Sequence, residues 1–215
     1  MLVTALVTAL VTVLDMVLVM AMAAPAPGNE MQGCRAGATL APVQIETERL
    51  TIRSWRDEEA PRLLDILSRL EVVRWLGDGE PKPMADLDEA HAKIERYRAI
   101  NTEAPPRGIW AIEVRETGQV AGTVLLVTLP SSDGEVEVGW HLHPDSWGHG
   151  YATEAAAAVV EHGFSHGLTE IFAITHTTNG PSQAVCRRLG MEDLGVREKW
   201  YEGESRIYRL GAPTR

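Results

Sequence analysis

Cysteine is nearly absent: Cys34 and Cys186 are the only two in 215 residues. Two thiols make no disulfide framework. One sits in a tail-like stretch and the other in a helical pattern, so no pairing is expected and a reducing compartment fits. Positive charge is also short. Twenty Lys and Arg stand against thirty Asp and Glu, a formal net charge of −10. A sequence-independent grip on nucleic acid needs clustered cations, so that class of partner is excluded. The acidity serves solubility, and its field is compatible with a cationic substrate such as an amine. No Lys or Arg precedes the first apolar run, so the basic start of a secretory signal is missing. No repeat is visible beyond Gln44. What remains is ordinary: 45% apolar and 23% charged residues, enough chain for one domain with a full core.

The apolar run occupies residues 1–24. Leu2 to Thr12 repeats a Leu-Val-Thr-Ala unit, and Asp15 is the run's one charge. It is long enough to span a bilayer, and a mid-span Asp costs about 2.5–3.5 kcal/mol, which the Leu and Val can absorb. Ala21, Ala23 and Ala24 before Pro25 allow a processing site instead. The third reading, a start further on at Met16, Met20, Met22 or Met31, is the one adopted. Residues 25–43, rich in Pro, Ala and Gly, read as linker. The expected division is therefore 1–43 outside the fold and 44–211 as one domain.

From Gln44 the pattern becomes regular. Ile45 to Trp55 is strand-like. Asp57, followed by Glu58 and Glu59, is placed to cap a helix carrying Leu63, Leu64, Ile66 and Leu67. Val72 to Leu76 is a short segment stopped by Gly77-Asp78-Gly79. Ala85 to Ile100 is a polar helix. Strands are expected at Ile109–Val114, Val120–Leu129 and Glu135–Leu142, the first two as a hairpin. A helix over Ala155–Phe164, a buried strand over Thr169–Thr177 and a helix from Gly180 to Leu189 follow. Gly190 is placed as the residue after that helix. Two strands, about Leu194–Tyr201 and Arg206–Leu210, close the chain. This order is a mixed α/β (α+β) domain with an antiparallel majority, and its one strand–helix–strand unit should be parallel.

The stretch from His143 to Ala155 organises the rest. Gly148 and Gly150 lie between the third strand and the Ala-rich helix, where the chain turns and leaves backbone N–H groups bare. Unpaired donors and the positive end of the helix dipole favour an anion there, so a phosphate-type ligand is expected at Trp147–Thr153.

These pieces together resemble the GNAT acetyltransferases, and among them the RimJ/RimL type. Thr47-Glu48-Arg49-Leu50-Thr51-Ile52-Arg53 is similar to the opening of that group. Glu137-Val138-Gly139-Trp140, His143-Pro144 and Trp147-Gly148-His149-Gly150-Tyr151-Ala152-Thr153-Glu154-Ala155 resemble its acyl-CoA motif. Asn179-Gly180-Pro181-Ser182 with Leu189-Gly190-Met191 resembles its last helical segment. The resemblance covers about Gln44 to Leu210. It implies a GNAT-like, mostly antiparallel central sheet of about six to seven strands, flanked by about four helices, with a splayed parallel pair at the cofactor site. It further implies acetyl-CoA as cosubstrate, its pyrophosphate on the amides of Gly148, His149, Gly150, Tyr151, Ala152 and Thr153 beside Trp147. Its pantetheine arm would pair with the backbone of His141, Leu142 and His143, and Asn179 and Ser182 would contact that arm or the acetyl end. The second partner is an amine acceptor, a peptide N-terminus or a small molecule. A homodimer is allowed, no metal is expected, and the location is cytoplasmic, without membrane attachment unless residues 1–24 are retained.

Acetyl transfer needs a neutral amine, a stabilised oxyanion and a departing thiolate. A peptide α-amine, with a pKa near ~7.7–8, is partly neutral at pH 7, whereas a lysine amine near ~10.4 needs far more help. Glu137 is the candidate base, either directly or through water; its alternative role is to orient the amine. Alternation puts Glu135, Glu137, Gly139, His141 and His143 on one face of their strand, unless a bulge changes the parity. Asn179 and Ser182 also suit a helix cap. Many relatives carry a tyrosine in this helix to protonate the thiolate. The matching position here is Cys186, so the thiolate leaves unaided or takes its proton from Ser182 or solvent. Trp75 and Tyr97 are candidates for the acceptor pocket or for the core. The rival class is a silent acyl-CoA-binding or regulatory domain.

Overall fold

The computed structural model describes residues 43–77 and 79–213. The apolar run, the linker up to residue 42, and Asp78 of the Gly77–Gly79 turn lie outside the described residues. Among those described, eight strands form a single sheet and five α-helices cover it.

In chain order these are β1 (Ile45–Glu46), β2 (Leu50–Arg53), α1 (Ala60–Leu67), α2 (Leu70–Val73), α3 (Leu87–Glu103), β3 (Gly108–Val114), β4 (Val120–Thr128) and β5 (Val136–Leu142). Then come α4 (Tyr151–Ser165), β6 (Glu170–His176), α5 (Gly180–Arg188), β7 (Glu192–Arg197) and β8 (Ser205–Gly211). The sheet order is β1-β2-β3-β4-β5-β6-β8-β7. Every neighbouring pair is antiparallel except β5 and β6.

The extra strand arises because the first strand-like segment breaks at Glu48-Arg49 into a tight hairpin, β1 with β2. The extra helix is α2, a single turn. Asp57 does not cap α1 as expected. A 3₁₀ turn, Asp57–Glu59, intervenes, and Pro61 sits in the first turn of α1, where its missing N–H costs nothing. The cap of α3 is Asp86, whose side chain accepts from Glu89 N.

Each face of the sheet buries its own cluster. Val136, Val138 and Leu142 of β5 pack with Ala155, Ala156, Val159 and Val160 of α4. Their small side chains let the helix lie close to the strands. On the other face, Ile109, Ala111 and Val127 pack under Leu63, Ile66, Ile94 and Tyr97 of α1 and α3. Burying each such Leu or Ile contributes roughly 1.5–3 kcal/mol. Farther along that second face, Phe172 and Ile207 are covered by Trp200 and Tyr201 of the β7–β8 loop instead of by a helix.

β4 and β5 pair without a register break from Gly122–Leu142 to Thr128–Val136, so the alternation expected for β5 holds. The bulge lies one strand away. Ile112 faces Gly122 but Glu113 faces Val120, which leaves Ala121 as the extra residue. There the strands come so close that a Cβ on Gly122 would sit 2.2 Å from His141 O, so only glycine fits.

The last turn before the glycine junction is tied to α1. His143 is buried, with Nε2 3.0 Å from Asp65 Oδ2, and Arg62 donates to Asp145 at 2.9 Å. Burial alone would raise the Asp145 carboxyl, but hydrogen bonds from Arg62 and Ser146 hold it well below the usual carboxylate range.

Candidate active site

β5 and β6 are parallel neighbours with one bridging pair, Glu137 with Phe172. Beyond that pair the two strands diverge, and a cleft of about 1500 Å³ opens between them. A single small ligand needs roughly 300–1,000 Å³. The cleft therefore has room for two reactants.

The backbone of β5 decides what its open edge offers. Glu135 O accepts from Leu129 N, and His143 N donates to Ala121 O, so the odd-numbered residues turn their peptide groups to β4. By alternation, the even-numbered residues turn their N–H and C=O groups to the β6 side, and beyond the Glu137–Phe172 bridge those of Trp140 and Leu142 face the cleft. This corrects the expected segment His141–His143: the His143 amide is already used by β4, and of the three only Leu142 turns its backbone to the open edge. Trp147 Nε1 donates to Leu142 O at 2.9 Å, which caps the edge where the strand ends.

The glycine junction forms the cleft's upper wall. Gly148 and Gly150 have φ of 80° and 81°, a left-handed conformation that suits glycine. Gly150 is the N-cap of α4 and offers no side-chain acceptor. The amides of Tyr151, Ala152 and Thr153 precede the first intrahelical bond, Glu154 N to Gly150 O, so the helix itself does not satisfy them. His149 stacks on Tyr151 with ring centroids 5.3 Å apart.

The back of the junction is braced from β1 and β2. Glu154 Oε1 accepts from Thr47 Oγ1 at 2.6 Å and Arg49 N at 2.9 Å, and Oε2 accepts from Arg49 Nε at 2.7 Å. Arg49 Nη1 also donates to His149 O at 2.9 Å. Burial alone would raise the Glu154 carboxyl; the hydrogen bonds from Thr47 and Arg49 outweigh it and hold it below its ordinary value. A carboxyl lowered in the folded state contributes stability above its unfolded pKa, near ~4.3, and loses it as pH falls through the lowered value. Glu154→Gln should therefore cost about 1 kcal/mol at neutral pH. The gap to the parent should shrink on acidification, as followed by thermal melts along a pH series.

Of the residues expected at the site, Glu137, His141, Leu142, Trp147, Gly148, His149, Gly150, Tyr151, Ala152, Thr153, Asn179 and Ser182 all line this cleft. His143 does not; its ring is turned to α1. Asn179 caps α5, its Oδ1 accepting from Ser182 N at 3.2 Å. Trp75 lines the cleft, whereas Tyr97 is in the core under α3. His141 is buried, and burial, helped by the charge of Lys93, pushes its imidazole down to about 3, so it is neutral at pH 7. Cys186 belongs to the core beneath α4, and burial pushes its thiol up to about 12. It stays a thiol and does not line the cleft. Among the described residues, no group of three or more His, Cys, Asp or Glu side chains could hold a metal ion, and no helix is long and apolar enough to cross a membrane.

Tyr201 was not anticipated. Its hydroxyl donates to Glu137 Oε2, and both residues line the cleft. β7 ends at Arg197 rather than reaching Tyr201, and Trp200 takes φ 70°. The available signal was two adjacent aromatics, Trp200-Tyr201, just before a Glu202-Gly203 turn.

Comparison with known proteins decides the family. Residues 49–192 match the family model described as Acetyltransferase (GNAT) domain. The chain belongs to the GNAT acetyltransferases. As a GNAT enzyme it catalyses acetyl transfer. It is 31% identical over 171 residues to the Bacillus subtilis protein named Uncharacterized N-acetyltransferase YoaA, covering 79% of this chain and 90% of that one. The fold matches a GNAT-family acetyltransferase from Bacillus anthracis with a TM-score of 0.66 at 20% identity, over 79% of this chain and 99% of that one. It also matches RimL, a ribosomal L7/L12 α-N-protein acetyltransferase solved with coenzyme A, with a TM-score of 0.66 at 15% identity, over 79% and 98% of the two chains.

Proposed function

We propose that this GNAT enzyme, through a domain spanning residues 44–211, moves the acetyl group of acetyl-CoA to a primary amine by direct attack in a ternary complex, in the manner of the RimJ/RimL type. The observation that carries this reading is a junction of helix amides without an intrahelical partner, ending a strand whose open edge and buried carboxylate share one cleft with it.

Acetyl-CoA fits that cradle. Its diphosphate needs several donors and close backbone approach, and the amides of Gly148 to Thr153 offer both at the positive end of α4. Its amide-bearing arm needs a strand edge, and Trp140 and Leu142 present one. Bound there, acetyl-CoA supplies an acetyl thioester for the amine nitrogen to attack. Glu137 accepts the proton that nitrogen loses, directly or through one water. Asn179 fixes the first turn of α5 and so the place of the Ser182 hydroxyl, the proton source offered here to the departing thiolate. The acceptor is a peptide N-terminus or a small amine. The name of RimL favours the first, and the net negative charge suits either.

Thiol release from acetyl-CoA over a panel of N-terminal peptides and small amines tests this. Release that depends on the amine is expected. Tight coenzyme A binding with no turnover on any amine would instead mark a silent acyl-CoA sensor.

A further inference from the structure

Glu137 is the only β5 residue in the bridge to β6, and its partner there is Phe172. Paired residues point to the same face of a sheet. No helix covers that face at Phe172; the β7–β8 loop does. The loop is pinned at three points. The Trp200 ring meets Phe172 edge-on, with centroids 5.0 Å apart. Lys199 Nζ lies 3.9 Å above the Trp200 ring and 3.6 Å from Glu135 Oε1. Tyr201, the next residue, then reaches Glu137 Oε2 with its hydroxyl. The contacts close a circuit: Glu137 to Phe172 across the sheet, Phe172 to Trp200 by ring packing, Tyr201 back to Glu137. The left-handed backbone at Trp200, φ 70°, is what lets adjacent aromatics serve both ends. A non-glycine residue holds that conformation only where its surroundings enforce it.

We propose that Tyr201 is the positioning residue for Glu137: its hydroxyl holds the carboxylate ionised and fixed at the point where the strands part. This rests on the reading of Glu137 as the group that receives the amine proton. A hydrogen bond donated to a carboxylate favours the charged form and fixes one of its two oxygens. The other ionisable neighbours do not replace it. Lys199 is engaged with Glu135, Cys186 remains a neutral thiol, and His141 on the same face of β5 is neutral. Glu202 and Glu204 on the loop, and His149 and His176, also line the cleft. The acidic limb of the pH profile is therefore assigned to Glu137 only as far as Glu137→Gln removes it.

Tyr201→Phe keeps the ring and deletes the hydroxyl. With amine-dependent thiol release as the assay, kcat should fall about tenfold and the acidic limb should move up by about one pH unit. The KM for acetyl-CoA and the melting temperature should stay put. Trp200→Gly, which keeps the turn and removes the anchoring ring, should reproduce part of that shift. Parent-like kcat and limb in both variants would overturn the proposal. If the parent turned over no amine, the transferase reading would fail, while the pairing would still be read by infrared difference spectra. The carboxylate band assigned to Glu137 by Glu137→Gln should shift in Tyr201→Phe; a stationary band overturns it.

Discussion

Glu137→Gln should lower kcat/KM by about 10²–10⁴-fold, while the Kd for coenzyme A changes by less than about twofold. The substitution keeps the side chain's shape and leaves an oxygen for the Tyr201 hydroxyl to donate to, but the amide can no longer take up a proton. Coenzyme A binding should be spared because Glu137 is on the side of β5 facing α1–α3 and is not among the amides of the glycine junction. The loss should depend on pH and on the amine. As pH rises, more acceptor is already neutral and needs no base, so the variant should recover part of its rate. Recovery should come earlier for a peptide α-amine, pKa near ~7.7–8, than for a lysine side chain near ~10.4. Thiol release from about pH 6 to about pH 9 with both acceptors reads this directly. A variant that matches the parent at neutral pH would leave Glu137 without a role in proton transfer.

Much of this site could be read from the sequence because it is made of local pattern. The glycine pair between an alternating run and an Ala-rich run specifies a turn followed by a helix start, and both glycines are left-handed in the structure. Asn179, three residues before Ser182, reads as a cap and is one. What escaped was non-local. That His143 spends its amide on Ala121 follows from how β5 is registered against β4, and nothing in the alternation of β5 reports its neighbour's register. The partner of Glu137 lies 64 residues away, on a loop whose path is set by Trp200 resting on Phe172. Sequence patterning at Lys199 to Tyr201 looked like strand because aromatics favour strands. The ring contact with β6 overrode that preference. The break at Glu48-Arg49 has the same origin. Both Thr47 and Arg49 are drawn to Glu154, a residue of α4, and the chain turns to make those bonds.

Ala152→Pro should raise the Kd for coenzyme A about 10–100-fold with only a small change in melting temperature. Ala152 is the second residue of α4, and its amide has no partner inside the helix. Proline there removes a donor that the helix does not use, and its fixed φ suits a first turn. The carboxylate brace from Glu154 to Thr47 and Arg49 lies on other atoms and is left whole. Ala152→Gly is the matched control. It loosens the turn, costing up to about 1 kcal/mol of stability, but retains the N–H. If the amide holds a phosphate, the glycine variant binds like the parent once folded and the proline variant does not. If both bind alike, that amide is not a phosphate donor. If both weaken alike, the turn's rigidity matters and the donor does not. Calorimetric titration of coenzyme A into the three proteins separates these cases. Pantetheine, which lacks the diphosphate, should not discriminate between parent and proline variant, because the deleted donor serves only the anion.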